Sequence, residues 1–537
     1  MKKFIGVLLS LVTALSALSL SGCGNNPGGD DPTIPIDPNK TQIVFNFYNG
    51  GHGSEWVTNA AIEWNKTNDK YQIVTAPDKE EWYSIKAKLE SGTCSYDIMH
   101  NTPLESEYAR GYLEDLTDVW NATAKGEDVT ISSKFKNPEA AENAFGYNGG
   151  HFAIPCFDTF SGFVYDHELF RENLFLIGTD GELIKKSTDK LGAGRDGIEG
   201  TIDDGQPVNM TQYVKMVNAI KSSDFMTYLW TGKFGYYLDP MFWSIFFDYE
   251  GESNARTFMR RSGEYTNRAT GANRDFADNA TEIFNMGGIR KRLISSTTIS
   301  AIRRFTTRTP QSTEQAIPTR KKSFVYGNAF DGAGSYKQVA FLYEGNWWER
   351  EAGQTSTRSK IAEWTNTSTV RAIIGLCFRP RWTKTPSATS LPLVGFSTEP
   401  ICVKKQTDPE KRAAIVDFLR FFYSTSQIKK TMSDSNGCMP FNVILDDEEK
   451  KSFTRFTLNA YELYYSENSY LVPLKYVTSG YKVPKFVTTD ANDVDSISAQ
   501  PVSHMLRGAG ITTKGDSDKV FADTVKYYDS HRSKLIG

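Results

Sequence analysis

Apolar and polar residues alternate from Thr41 to Tyr48, and this period of two predicts a β-strand. From Ser54 to Asn65 the apolar residues recur at helical spacing instead, which predicts a helix directly after that strand. The same reasoning predicts strands at 71–75 and 96–99 and helices at 80–90 and 104–110. Strands that alternate with helices are typical of an α/β domain with a largely parallel sheet.

Two further helices are marked by their first residues. Thr211 is predicted to cap a helix whose apolar residues follow at a period near four. Asp408 and Pro409 open another, because proline is well suited to the first helical position. The segment 254–337 is rich in Arg, Thr and Ser with weak periodicity, so helices are expected there without defined bounds.

The beginning of the chain has the pattern of a secretory signal peptide. Lys2 and Lys3 precede an apolar run from Phe4 to Leu20, and small residues follow it up to Gly22. The run is interrupted by serine and threonine and has no basic flank after it, so it does not have the pattern of a membrane-spanning helix. Residues 1–22 are therefore predicted to be a signal peptide.

The tetrapeptide LSGC, which ends at Cys23, resembles the lipobox of bacterial lipoproteins. The resemblance implies that Cys23 becomes the lipid-modified first residue of the mature protein, with palmitate among its acyl chains. Gly, Pro, Asp and Asn dominate the stretch that follows, which cannot bury enough apolar surface to order itself. Residues 23–40 are thus interpreted as a lipid anchor and flexible tether, and the protein as attached to the cell membrane, facing outside the cytoplasm.

Charge, length and cysteine content limit the kinds of protein that this chain could be. Removal of residues 1–22 takes away two lysines and changes the formal net charge from −3 to −5, and no basic patch suggests nucleic acid. About five hundred mature residues exceed one hydrophobic core and predict at least two domains. The five cysteines other than Cys23 are widely spaced, so they are interpreted as buried small side chains rather than zinc ligands or a disulfide framework.

Several blocks, in order, are similar to the extracellular solute-binding proteins of ABC sugar importers. These blocks are IVFNFYNG, KEEWYSIKAKLESGTCSYDIM, EYARGYLEDLTDVW, GHFAIPCFDTFSGFVYDHELFREN, AFLYEGNWWEREA, ICVKKQTDPEKRAAIVDFLRFFYS and SNGCMPFN. The resemblance implies a two-lobe periplasmic-binding-protein-like α/β fold, with a hinge and a ligand cleft between the lobes. It also implies a monomeric receptor that needs no cofactor and delivers its solute to ABC permease subunits.

The domain organisation that follows has three parts beyond the tether. Residues 41–155 are predicted to form most of the N-terminal lobe and 156–390 most of the C-terminal lobe. Residues 391–537 supply the return strand, the hinge and C-terminal helices that complete both lobes. Ligands of open α/β sheets bind beyond the carboxyl ends of the strands, which agrees with a cleft between two such sheets.

A sugar presents flat apolar faces edged by hydroxyl groups, so its site needs aromatic platforms and directional polar partners. Residues at predicted strand ends or in the aromatic blocks supply both, and the candidate ligand-binding residues are Tyr48, Asn49, His100, Asp158, Thr159, Trp230, Glu344, Trp347 and Trp348. For each of them an ordinary position in a loop, a cap or the core is the competing interpretation. Two adjacent tryptophans in an extended segment cannot both face the cleft.

The Gly-rich loop from Gly194 to Gly205 carries Asp196, Asp203 and Asp204, whose oxygens could bind calcium. The spacing is not that of an EF-hand, and a solvated acidic turn is the favoured interpretation. Residues 192–197 also match GxGxxG, but the acids that follow would repel a pyrophosphate.

Two other functional classes stay open on sequence grounds. A surface glycan-degrading hydrolase would also need aromatic residues and paired carboxylates in a cleft, although GxSxG, HExxH and GxxxxGK[ST] motifs are absent. A sensor or adhesin lipoprotein could keep the same fold without transport. The sequence favours a non-enzymatic receptor in which the solute stabilises the closed state of the two lobes.

Overall fold

The structure is a computed structural model. It describes residues 34–78, 82–101, 104–201, 203–230, 239–260, 263–268, 270–276, 286, 329–330, 336–353, 374–375, 391–395, 398–467 and 469–473. The signal peptide, Cys23 and most of the tether lie outside the described residues, as do Cys377 and most of the segment 254–337.

The first sheet has five strands, which are β1 Thr41–Tyr48, β2 Tyr71–Asp78, β3 Ile98–His100, β6 Ile154–Asp158 and β15 Thr398–Val403. Their order across the sheet is β2-β1-β3-β15-β6. Strand β1 is parallel to β2 and β3, whereas β15 is antiparallel to both β3 and β6. Four strands therefore run in one direction and one returns, which confirms the prediction of a largely parallel sheet.

The alternation along β1 buries Ile43, Phe45 and Phe47 against helices on the sheet. The ring of Phe45 makes edge contacts with Trp56 from the following helix and with Phe418 from a helix late in the sequence, each at 6.0 Å between centroids. The apolar faces that the periodicity predicts for both helices thus lie in one hydrophobic core, which joins the first hundred residues to a segment after residue 400.

The second sheet has strands β11-β12-β7-β13, and β8 also pairs with β12. Their bounds are β7 Ser161–Asp166, β8 Phe225–Trp230, β11 Ala329–Phe330, β12 Tyr336–Gly345 and β13 Ile374–Gly375. Strand β12 is parallel to β8 and antiparallel to β7. Smaller ladders join β4 Gly146–Tyr147 to β5 Gly150–His151, β9 Glu264–Thr266 to β10 Asn273–Asp275, and β14 Leu391–Gly395 to β16 Ser469–Pro473.

The five predicted helices are present in the predicted order with shifted ends, and the described residues contain further helices that were not predicted. Those before residue 200 are α1 Glu55–Asn65, α2 Trp82–Glu90, α3 Glu105–Ala109, α4 Thr117–Asn121, α5 Pro138–Phe145 and α6 His167–Glu172, with a 3₁₀ turn at Ser132–Lys134. Those after it are α7 Met210–Ser222, α8 Asp239–Arg260, α9 Trp348–Gly353, α10 Pro409–Phe422, α11 Thr425–Ser435, α12 Asp447–Lys450 and α13 Arg455–Tyr465.

The helix starts test two of the predicted caps. Asp408 caps α10, as predicted, and its side chain accepts from the N–H groups of Glu410 and Lys411. The predicted cap Thr211 was wrong, because the side chain of Asn209 accepts from the N–H of Gln212 and α7 begins two residues earlier. Asn209 is an equally good N-cap residue type, so sequence alone did not separate the two positions.

Two separate hydrophobic cores support the predicted two-lobe fold. The first packs around the first sheet, and the second contains Phe160, Val164, Leu342 and Trp348 on the second sheet side. The chain leaves the first sheet after Asp158 and enters β7 at Ser161. Residues 155–156 lie within β6 and residue 391 begins β14, and the lobe boundaries at these two places stay a prediction.

Within the described residues, no helix is both long enough and apolar enough to cross a membrane. Cys94, Cys156, Cys402 and Cys438 are buried, as predicted for them from the sequence.

Candidate functional site

The carboxyl ends of β1, β3 and β6 lie at one edge of the first sheet, because the three strands run in the same direction. They end at Tyr48, His100 and Asp158, three of the predicted site residues. The returning strand β15 begins at the same edge with Thr398, opposite Asp158. The structure therefore brings these positions to the edge where α/β sheets bind their ligands.

Tyr48 is 46% exposed, which is unusual for so large an aromatic ring at a strand end. Its ring lies over Gly50, where an added Cβ would come within 2.2 Å of Cε1. Any other residue at position 50 would displace the ring, so the glycine fixes the orientation of Tyr48. Asn49 follows in the loop and is half-buried.

Asp158 is buried, and protein groups engage both carboxylate oxygens. The Thr398 hydroxyl donates to Oδ1 and the Tyr464 hydroxyl to Oδ2, each at 2.5 Å. Burial raises the pKa of Asp158 to about 6, although these two hydrogen bonds and nearby Lys136 oppose the shift. Thr159, the next residue, is also buried. Asp158 therefore joins residues 158–161, the crossover between the two sheets, to two distant segments of the chain.

Asn346 holds the second side of the crossover. Its N–H donates to the carbonyl of Phe160 at 2.9 Å, and the Phe160 N–H donates back to its Oδ1 at 3.1 Å. Its Nδ2 donates to the carbonyl of Asp158 at 3.2 Å. Because the Asp158 N–H donates to the carbonyl of Cys438 at 2.8 Å, three chain segments meet at this point.

The second sheet presents its own strand ends at the crossover. Trp230, the last residue of β8, pairs in register with Tyr343 of the parallel strand β12. Strand β12 ends at Gly345, opposite Ser161, where the chain enters from the first sheet. Glu344 is fully buried at this edge. The side chain of Trp230 lies outside the described part of the structure.

The adjacent tryptophans Trp347 and Trp348 occupy different environments, as expected for neighbours in the chain. Trp348 is fully buried in the second core, with its ring 5.6 Å from that of Phe456. Trp347 is 9% exposed, and its ring lies over Gly345. Trp348 is therefore a core residue, and Trp347 lies beside the strand ends, where its role as a ligand platform stays a prediction.

Contacts between the two sets of strand ends run through the loop after β1. An added Cβ at Gly51 would come within 2.5 Å of the Trp347 Cβ, so the loop backbone lies directly against this tryptophan. One turn further on, Arg350 of α9 forms an ion pair with Glu55 at the start of α1. The loop 49–53 thus belongs to the first sheet and touches the second.

Sequence reasoning did not identify a buried cluster of His52, His100 and Glu399 at this edge. The Nε2 atom of His100 lies 3.1 Å from Oε2 of Glu399, and that of His52 lies 3.7 Å from the same oxygen. His52 was detectable as the polar residue of a Gly-rich loop after a strand. Glu399 carried no such signal, because its partners are about three hundred residues away in sequence.

The acidic loop lies apart from this edge in the chain and is ordered by its own carboxylates. Asp203 accepts from the N–H groups of Arg195 at 2.6 Å and Asp196 at 3.1 Å, and Asp204 accepts from that of Gly200 at 2.8 Å. Among the residues that the structure describes, no group of three or more His, Cys, Asp or Glu side chains is placed to hold a metal ion. Calcium binding by Asp196, Asp203 and Asp204 stays a prediction.

Comparison with known proteins gives a fold. No family model matches the chain, and no curated protein matches it by sequence. Among solved structures, the unliganded form of RafE from Streptococcus pneumoniae is similar at 14% identity and a TM-score of 0.54, covering 93% of this chain and 99% of that one. A second RafE structure contains raffinose, with a TM-score of 0.52 at 13% identity over 91% of this chain and 99% of that one.

Two other solved structures show the same architecture. The GacH receptor of Streptomyces glaucescens, solved unliganded and with acarbose, is similar at 12% identity and a TM-score of 0.53, covering 92% of this chain and 98% of that one. A chitin oligosaccharide binding protein matches at 14% identity and a TM-score of 0.51, covering 88% of this chain and 93% of that one. The predicted two-lobe fold is thereby confirmed.

Proposed function

We propose that this protein is a non-enzymatic receptor that captures a carbohydrate outside the cytoplasm and delivers it to an ABC permease. The observation that carries the proposal is the shared two-lobe architecture, which extends over about nine-tenths of the chain in structures named for raffinose, acarbose and chitin oligosaccharides. The strand ends of both sheets supply the aromatic and polar residues that sugar binding requires.

In the proposed mechanism the sugar lies between the two strand-end edges. Tyr48 offers an exposed ring on the first lobe and Trp347 a ring on the second, so a sugar that contacts both stabilises the closed arrangement. Asn49 and His100 are the polar candidates on the first lobe. Asp158, Thr159 and Glu344 are buried around the crossover and act by shaping it.

The hydrolase alternative gains no specific support from the described residues. A glycosidase needs two carboxyl groups facing the scissile bond. Asp158 instead accepts from Thr398 and Tyr464, and Glu399 lies against two histidines. Asp158 and Glu399 are therefore engaged within the protein.

The test is a thermal-shift and calorimetry screen of the secreted chain against raffinose, acarbose and chitin oligosaccharides, with product analysis of each mixture. A sugar that raises the melting temperature and is recovered intact supports a receptor. A sugar that is cleaved would establish the hydrolase instead. If the protein bound none of these sugars, carbohydrates of these three kinds would be excluded as its ligands.

The stacking role of Trp347 has a matched control in its neighbour. Trp347→Ala should weaken binding of the sugar found in the screen about tenfold, the equivalent of about 1.4 kcal/mol, and should also lower the melting temperature because the ring is only 9% exposed. Trp348→Phe, in the core, should lower the melting temperature and leave affinity unchanged. The reverse pattern in affinity would exchange the two assignments.

We also propose that Cys23 carries the lipid anchor, with palmitate among its acyl chains, and that a monomer is held at the membrane by the tether. The basis is the LSGC sequence after an apolar leader. Labelled palmitate should be incorporated into the wild-type chain and not into Cys23→Ser, which should also appear in the soluble fraction. Equal labelling of both would contradict the anchor at this residue.

A further inference from the structure

Three titratable side chains from three chain segments meet below the proposed cleft. His52 lies in the loop after β1, His100 ends β3, and Glu399 lies near the start of β15. Their exposed fractions are 5%, 3% and 8%, so the cluster is almost fully buried from solvent. A single oxygen, Oε2 of Glu399, lies within 4 Å of both imidazoles. One carboxylate therefore faces two groups that can each take up a proton.

The surroundings of His52 favour its neutral form. Its ring stacks on Phe157, with centroids 4.2 Å apart and planes inclined by 24°. Neither ring nitrogen has a hydrogen-bond partner in the part of the chain that the structure describes. Burial lowers the pKa of His52; Glu399 opposes this effect, whereas His100 and Arg350 add to it. The site therefore favours a neutral, stacked imidazole ring at His52 over a protonated one.

The charged and titratable groups around the cluster come from several elements. Those facing His52 are Glu399, His100, Arg350 and Glu351, and those facing Glu399 also include Asp158 and Cys156. Because His100 is the nearer imidazole to Glu399, a charge on His52 would have no carboxylate of its own at hydrogen-bond distance. Arg350 would repel it.

We propose that His52 is a positioning residue whose neutral form, stacked on Phe157 of β6, holds the loop 49–53 against β6 and the adjacent strand β15, and that protonation of His52 releases this loop. The loop backbone touches Trp347 through Gly51, and the helix after it carries Glu55, the partner of Arg350. Release of the loop therefore loosens the contact between the two lobes. Weaker solute capture in acid follows only if the proposed function holds, whereas the release itself needs no solute.

The direction of the pH effect follows from linkage. An open loop gives His52 its ordinary pKa, near 6.5, and the closed loop gives it a lower one. The closed loop is then fully stable above 6.5 and loses stability as the pH falls toward the lower pKa of the closed state. Between these two pKa values, the opening equilibrium should grow about tenfold per pH unit, the slope of a single proton.

The test is hydrogen exchange of the sugar-free, full-length mature chain from pH 7.5 to 4.5, read at peptides that contain residues 49–53 and corrected for intrinsic exchange. Protection of this loop should fall in the wild type below pH 6.5 and stay constant in His52→Gln. His151→Gln is the control, because His151 is half-buried and, like His52, stacks on an aromatic ring, that of Trp120, and it should keep the wild-type profile. A pH-independent wild type, or the same fall in His52→Gln, would overturn the proposal.

Glu399→Gln is a second variant for the same measurement, and it is informative even if His52→Gln does not fold. It removes the carboxylate that favours protonated His52 in the closed loop, so loss of protection should continue further into acid than in the wild type. A smaller loss than in the wild type would contradict the proposal. A pKa of wild-type His52 at or above 6.5, measured by NMR titration, would also contradict the proposal. No measurement here uses a sugar, so failure leaves the proposed function untouched.

Discussion

The crossover at Asp158 and the acidic loop at Asp203 are each held by a buried carboxylate, but the hydrogen-bond donors of the two carboxylates come from different parts of the chain. Both carboxylates are more than nine-tenths buried, and both accept hydrogen bonds at each oxygen. The partners of Asp158, Thr398 and Tyr464, lie 240 and 306 residues away, whereas those of Asp203 lie within eight residues. The first carboxylate joins separate segments of the fold, and the second orders only its own loop.

The comparison shows that burial alone does not identify what a polar residue holds together. Loss of Asp158 would leave two hydroxyls on two other segments without their acceptor inside the protein. Loss of Asp203 would release N–H groups that water at the surface can reach once the loop opens. The cost of removing a buried acceptor depends on whether its partners can be resolvated, so the crossover should be the more sensitive region.

The largest effect is expected from Gly395→Ala, at the end of β14 beside the crossover. An added Cβ would lie 1.5 Å from the carbonyl oxygen of Thr159, and backbone must move to accommodate it. We expect a loss of about 3 kcal/mol or more, measured as a lower urea midpoint. Gly353→Ala, where an added Cβ meets nothing within 4 Å, is the control and should be close to neutral. Equal midpoints for both variants would contradict the tight crossover.

A smaller, pH-dependent effect is expected at Asp158. Its pKa rises from 3.8 to about 6 on folding, so the folded protein binds a proton more readily than the unfolded chain. A raised carboxyl pKa makes folding less favourable as the pH rises through 4 to 6. Asp158→Asn cannot ionise, so its stability relative to the wild type should improve by up to about 3 kcal/mol from pH 4 to 7.

The measurement is urea unfolding of both proteins across this pH range. Asp447→Asn serves as the control, because Asp447 is almost fully exposed and should leave the pH profile unchanged. A constant difference between Asp158→Asn and the wild type would show that Asp158 keeps an ordinary pKa, and the crossover would then resemble the acidic loop.

Local sequence patterns predicted several helices and strands of the fold, but they did not predict the side-chain contacts between residues far apart in the sequence. The alternation of β1, the helix after it and the Asp408-Pro409 helix start were predicted correctly, because each signal lies within one element. The same reasoning placed Tyr48 and His100 at strand ends. It could not pair Asp158 with Tyr464 or His52 with Glu399, because each contact joins residues more than three hundred positions apart that meet only in the folded chain.

A modest effect is expected from Asp203→Asn in the acidic loop. The amide keeps one acceptor oxygen, but it cannot accept at both sides as the carboxylate does from Arg195 and Thr201. We expect about 1 kcal/mol or less in global stability and faster proteolysis within residues 194–201. Glu199→Gln, which loses only an exposed ion pair with Lys190, should cleave at the wild-type rate. A global loss as large as that of Gly395→Ala would remove the contrast between the regions.

The smallest effect is expected from calcium. The carboxylates of Asp203 and Asp204 already accept N–H groups of their own loop, so a cation would have to compete with those hydrogen bonds. Millimolar calcium should therefore leave the melting temperature unchanged in the wild type and in Asp203→Asn, as measured against matched magnesium. If calcium raised it in the wild type alone, Asp203 would be a metal ligand, and the loop would be a binding site rather than a self-ordered turn.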